Sequence, residues 1–334
     1  MPYRLKASES VPEGIRRIVL EELDSAQDQL GRNGRNRDEA IHEARKSVKK
    51  IRGAVRLVES DLGAIYRDEN RRLGDLGRKL TELRDAAAII ETFDAVVGKY
   101  KDSLQNEALA SVRRGLDKSK RETERNSDVD KVVKGALATL KATAKRVSSW
   151  PLKSDGFSAI EPGLRARFRR GRETMAVAQK DPTPENYHEW RKRVKDHWYH
   201  IRLLESLWTD VMQAREASLH DLETWLGDDH NLVVLRDKLA DKNGHYGDQK
   251  DVQFFVMLAD QYQRELREKS ISLGERIYEE KPREFTKNVS KLWDAWQRQP
   301  ESMKEEQKED RGAAKKGAQS AGSPTAAKSK TTAA

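Results

Sequence analysis

Cysteine is absent from this 334-residue chain. No disulfide frame can staple it, and no thiolate site can hold zinc. Proline is scarce, with nine in all and none between Pro12 and Pro151. Aromatic residues make up 6% of the chain. No apolar run approaches the roughly 18 to 20 residues that a membrane span requires. The opening MPYRLKASES lacks the apolar core of a signal peptide. The expectation is a soluble, cytoplasmic protein with no membrane partner. No segment alternates apolar and polar residues between regularly spaced turns, as a sheet demands. Charge is abundant instead: 36% of residues are Asp, Glu, Lys or Arg, and the net charge is +9.

A 138-residue stretch without proline, rich in Ala, Leu, Arg, Lys and Glu, reads as helix after helix. The spacing predicts helices over about 11–30, 38–62, 65–97, 102–126 and 129–148. Asp38 is placed to cap the second. SSWPLKSDGFS at 148–158 then breaks the pattern. Further helices follow from Ser158, up to the loop DPTPEN at 181–186, then to about 207, and over 211–239, 252–279 and 283–297. GRNGRNRD at 31–38 and KNGHYGD at 242–248 read as turns. From about 299 the apolar pattern stops and the end, GAAKKGAQSAGSPTAAKSKTTAA, is rich in Ala, Lys, Ser and Thr, so 299–334 reads as a disordered, basic-ended tail. The fold class is all-α.

The second predicted helix carries HEARKSVKKIRGAVR at 42–56. Ile41, Ala44, Val48, Ile51, Val55, Val58 and Leu62 recur at three- and four-residue steps and form a packing seam. His42, Arg45, Lys49, Arg52 and Arg56 follow the same steps one position on. Neighbouring helical positions differ by about 100°, so a cationic stripe of about 21 Å borders the seam. At 188–205 the pattern returns as HEWRKRVKDHWYHIRLLE, where nine of eighteen positions are identical after a gapless shift of 146. At the same shift Leu73, Asp75, Leu76 and Leu80 match Leu219, Asp221, Leu222 and Leu226. The chain is therefore a duplicated unit. The copies differ where Trp198 replaces Arg52, Asp196 replaces Lys50 and His230 replaces Arg84.

Charge is concentrated. Residues 42–56 carry six cations and one acid, 188–202 five and two, and GLRARFRRGR at 163–172 five and none. The remainder of the chain is net acidic. Such concentration fits a surface that binds a polyanion. In the third window Arg165, Arg169 and Arg172 stand at helical steps and share one face. Arg holds two phosphate oxygens with its planar fork, and Lys supplies a mobile point charge.

The competing readings are plainer. A charged helix face can simply be solvated. His42 and His188 open each motif and either donate to phosphate or satisfy a helix end. Glu43 and Glu189 make HExxR rather than the zinc-protease HExxH, because Lys46 and Lys192 stand at the second histidine position. His197 and His200 at i, i+3 lack a third ligand at sensible spacing. His220-Asp221 and Asp228-Asp229-His230 resemble ligands of a metal phosphohydrolase but read first as helix-packing or capping groups. Trp190, Trp208 and Trp225 fall on seam positions and are expected in the core, whereas Trp198 lies on the cationic row.

The duplicated motif resembles the CHAD family, the conserved-histidine α-helical domain. The likeness rests on HEARKSVKKIRGAVR and HEWRKRVKDHWYHIR, with LTELRDAAAII at 80–90, LGDDHNLVVL at 226–235, FRRGRE at 168–173 and GERIYEEKPREF at 274–285. It implies two antiparallel four-helix-type bundles related by a pseudo-twofold axis, with extra short helices as accessories. These would form one domain at 10–298, divided into 10–150 and 151–298, before the 299–334 tail. It also implies a basic groove or pore that binds inorganic polyphosphate. The residues carried over to that role are His42, Arg45, Lys46, Lys49, Arg52, Arg56, Arg165, Arg169, Arg172, His188, Arg191, Lys192, Lys195 and Arg202. The Glu-x-Glu-x-Lys signature of a triphosphate-tunnel enzyme is missing. The expectation is thus a stand-alone, non-catalytic module without cofactor or metal, targeted to polyphosphate granules. The alternatives are a nucleic-acid-binding protein and a metal-dependent phosphohydrolase.

Overall fold

The computed structural model describes residues 3–32, 37–83, 85–103, 109–126, 128–241, 244 and 246–299. Arg84, the middle of the turn at 31–38, residues 242, 243 and 245 of the turn at 242–248 and residues 300–334 of the expected tail lie outside them. The described residues contain helices and connecting segments but no strand, an all-α fold.

The first bundle packs α1 (Val11–Gly31), α2 (Arg37–Leu57), α4 (Ala64–Glu82) and α7 (Val129–Val147) in a ring. The short α3 (Glu59–Leu62) links α2 to α4. In the second, α8 (Phe157–Lys180), α9 (Pro184–Leu203) and α10 (Thr209–Ala240) repeat the order. Its fourth side is shared by the end of α11 (Gln249–Ile277) and α12 (Pro282–Gln297), which both lie against α8. The repeat reaches further than the sequence motif showed. Val11 and Phe157, which open α1 and α8, are 146 positions apart, as are Leu57 and Leu203, which close α2 and α9.

Local chemistry sets the helix starts. Ser10 accepts from the Glu13 amide while Glu13 accepts from the Ser10 amide at 2.9 Å, a reciprocal cap beside Pro12. Thr183 caps α9 through the Asn186 amide, with Pro184 in the first turn. Asp38 lies inside the first turn of α2 rather than at its cap, where its charge still favours the helix N-terminus. Both signature helices stop earlier than predicted, at Leu57 and Leu203. Trp208 therefore leaves the seam: it sits extended before α10 and is 54% exposed, not in the core.

Buried residues of both bundles form one continuous apolar core. A second core joins α5 (Asp85–Lys99) and α6 (Ala110–Asn126) to the distal halves of α10 and α11, with Phe93 stacked on Phe255 at 4.7 Å. The helices expected to be accessories thus make a third packed layer with an interior of their own.

Candidate functional site

The signature helices cross at the junction of the bundles, where Gly53 meets Tyr199. These two residues are 146 positions apart and so occupy equivalent places in the two copies. A Cβ on Gly53 would lie 2.7 Å from the Tyr199 Cβ, so only glycine permits this approach. Next to the crossing, His200 Nε2 donates to the Gly53 carbonyl at 3.2 Å. Burial pushes His200 down to about 3, so the ring is neutral and the bond joins the copies without charge.

Beside this crossing lies a cleft of about 660 Å³. From α2 come Arg45, Lys49, Arg52 and Arg56, and from α9 come His188, Arg191, Lys192, Arg193 and Lys195. Arg78 on α4 and Arg167 and Arg170 on α8 complete the lining. Among the described lining residues, eleven are Lys or Arg and one, Asp196, is acidic. Asp196 is held by Arg56 at 2.5 Å and Arg193 at 3.5 Å. The floor under α2 is uncharged where α4 offers Asn70, Gly74 and Gly77; Asn70 accepts from Arg52 Nε at 3.2 Å.

Cations this close raise one another's energy. Burial, then Lys195, Arg45 and Arg191, push Lys49 down to about 6 despite the opposing pull of Glu223. Burial lowers Lys195 as well, although Glu223 is its ion-pair partner. Glu223 also pairs with Arg191 at 3.3 Å, and the two cations outweigh burial and keep its carboxyl below the ordinary range. Burial and then Arg56 bring Arg52 to about 10, which leaves it charged at neutral pH. His188 lies over His230 with ring centroids 4.1 Å apart, and burial followed by Lys192 and Arg191 depresses it. The site therefore holds more basic groups than its own acids neutralise, and Lys49 is kept largely short of its proton at neutral pH. An anionic chain entering would relieve that repulsion.

Of the expected binding residues, Arg45, Lys49, Arg52, Arg56, His188, Arg191, Lys192 and Lys195 come together in the cleft. Six lie elsewhere. His42 and Lys46 sit beside Glu43, at 4.0 and 2.7 Å. Arg165 and Arg169 line a separate groove with Lys281 and Arg283. Arg172 donates to the Glu280 carbonyl at 3.1 Å. Arg202 pairs with Glu216 at 3.4 Å.

Arg78, Arg167, Arg170 and Arg193 were not anticipated. For α8 the sequence held a cue. Ile160, Gly163, Leu164, Arg167, Phe168 and Gly171 form one buried stripe, so Arg167 must be paired; it bonds Glu59 and the Tyr66 hydroxyl. That stripe, and not Arg165–Arg169–Arg172, is the side of α8 that turns toward α2.

The other histidines pack. His197 lies among Phe168, Tyr278 and Phe285, and His220 stacks on Trp198 at 5.2 Å. Among the described residues, no group of three or more His, Asp or Glu is placed to hold a metal ion. No described helix is long and apolar enough to cross a membrane.

The sequence matches the CHAD domain family over residues 17–240, and the chain belongs to that family. No curated protein matches it. Among solved structures it is similar to the CHAD domain from the plant Ricinus communis, with 17% identity and a TM-score of 0.56, covering 84% of this chain and 96% of that one. At that identity the likeness speaks for the fold.

Proposed function

We propose that the cleft binds inorganic polyphosphate without turning it over, and that this binding carries the protein to polyphosphate granules. The observation behind the reading is the lining itself: eleven lysines and arginines against one carboxylate, eight of them from the two copies of the motif. Polyphosphate offers charge along a flexible chain and no base or sugar, so its binder needs a long row of Lys and Arg and little besides. Nucleic acid would ask for exposed rings to stack bases. The aromatic lining residues are Tyr66, whose hydroxyl is engaged by Arg167, and Tyr199, which is buried. A phosphohydrolase would ask for carboxylates free to act on water or metal, and Asp196 is already clasped by two arginines.

The test is calorimetric titration with long-chain polyphosphate, duplex DNA and RNA at equal charge. Polyphosphate is expected to bind most tightly, with affinity falling steeply as salt rises. Equal or better affinity for nucleic acid would overturn the reading. So would phosphate release with Mg²⁺ or Mn²⁺ that disappears in a His220→Ala or Asp221→Ala variant. Arg45→Glu combined with Lys49→Glu should weaken binding at least about tenfold, while Lys304→Glu with Lys308→Glu should not.

A further inference from the structure

Duplication should give two equivalent grooves, one on each side of the Gly53–Tyr199 crossing. The cleft takes in the α2–α4 side together with the α9 residues His188 to Asp196 that precede the crossing. The counterparts 146 positions on are Trp198 for Arg52, Glu216 for Asn70, His220 for Gly74 and Glu223 for Gly77. They keep the same geometry with different chemistry. Arg52 bonds Asn70 at 3.2 Å, and Trp198 Nε1 donates to Glu216 at the same distance. The Arg52 guanidinium lies 3.4 Å from where a Gly74 Cβ would be, and the Trp198 ring stacks on His220. Where the first side is cationic over a bare floor, the second is aromatic over Glu216, while Glu223 serves the cleft as partner of Lys195 and Arg191.

Two further features close the second side. Arg202, the counterpart of Arg56, is paired with Glu216 and lies 5.0 Å over Trp198 and 5.5 Å over Tyr3. Tyr3 is buried there: it meets Tyr199 edge-on and donates to the Lys50 carbonyl at 2.7 Å. Leu5 fastens the same segment to the end of α9 through the Leu203 carbonyl at 2.9 Å, and Arg4 pairs with Glu205 at 3.3 Å. On α1 the positions equivalent to Arg167 and Arg170 are Glu21 and Asp24.

We propose that the two sides have diverged, so that polyphosphate held between the signature helices runs on over α4 but not over α10, where Tyr3, Trp198 and Glu216 seal the way. The inference rests on the polyphosphate reading and adds where the chain runs. The anion lies along the first row, about 16 Å of helix from Arg45 to Arg56, with Arg191, Lys192 and Lys195 lining the same cleft, and does not continue over Trp198 and Arg202. Sequence-equivalent arginines are then unequal partners.

The experiment compares Arg56→Gln and Arg202→Gln by calorimetry with long-chain polyphosphate, with circular dichroism to confirm helicity. Arg52→Gln is a second probe of the open side, since its partner Asn70 is neutral and no buried carboxylate is stranded. On the open side each variant should lose about tenfold in affinity. Arg202→Gln should stay within about twofold of the parent. A loss at Arg202 matching that at Arg52 and Arg56 would overturn the one-sided groove and leave the polyphosphate reading standing. Absence of binding by the unaltered chain would overturn both.

Discussion

Lys49 is the residue that most directly couples the cleft to solution conditions. Its folded value of about 6 lies below its ordinary 10.5 because it is buried and then because Lys195, Arg45 and Arg191 surround it. The folded protein thus binds fewer protons at this amine than the unfolded chain does. The resulting penalty is fully present below about pH 6 and fades as pH rises toward 10.5. Lys49→Met should therefore stabilise the free protein most at low pH, which urea unfolding across pH 5 to 9 would show. Phosphate oxygens beside the amine act in the opposite sense and favour the ammonium. Binding at pH 7 to 8 should then take up close to one proton per chain, and affinity should fall as pH rises from 6 to 8. Calorimetry in two buffers of different ionisation enthalpy measures the uptake. Lys195 and His188 shift downward too, so Lys49→Met should leave a smaller remainder. Enthalpies that do not depend on the buffer would contradict this account.

At the level of the helices, the approach of α8 to α2 decides which cations share the cleft. A Cβ on Gly163 would lie 2.1 Å from the Leu57 carbonyl oxygen and 2.7 Å from that of Arg56, so α8 touches backbone there. Gly163→Ala should push α8 away, with a loss of about 1–3 kcal/mol in urea unfolding. Arg167 and Arg170 would move off the α2 row with it. Polyphosphate affinity should fall several-fold although no cation has been removed. Unchanged affinity in a destabilised variant would mean that those two arginines do not take part. Much of this layer was legible in the chain. Period and caps located most helices, although the one expected at 65–97 is two, α4 and α5, and α6 starts at Ala110 rather than near 102; the apolar seam placed Val48, Ile51 and Val55 in the core. The cationic stripe on α2 was legible because it borders that seam. The face of α8 was misread because five arginines in ten residues fit more than one stripe, and only the glycines mark the side that closes on α2. Trp208 was misread because a periodic pattern runs on through a turn that ends the helix.

For the whole molecule, the duplicated units share one core around the crossing, while the distal helices keep a second core away from the cleft. Sequence repetition revealed the first arrangement, since equivalent helices must find equivalent neighbours. It was silent on the second, because α5 and α6 pack against the far ends of α10 and α11, contacts between the copies that no local period records. The separation has an energetic consequence. Phe255 is fully buried against Phe93, and Phe255→Ala should cost about 3–5 kcal/mol in the distal layer. The cleft is built on α2, α4, α8 and α9, whose buried residues belong to the other core. Unfolding of the variant should then separate into two steps, an early one for the distal helices and a later one for the rest. Below the first step, polyphosphate affinity should remain within about twofold of the parent. Because ligand stabilises only the part that holds it, added polyphosphate should raise the later transition and leave the earlier one in place. A single transition that moves as a whole with ligand would show instead that α10 and α11, which run through both layers, bind them into one cooperative unit.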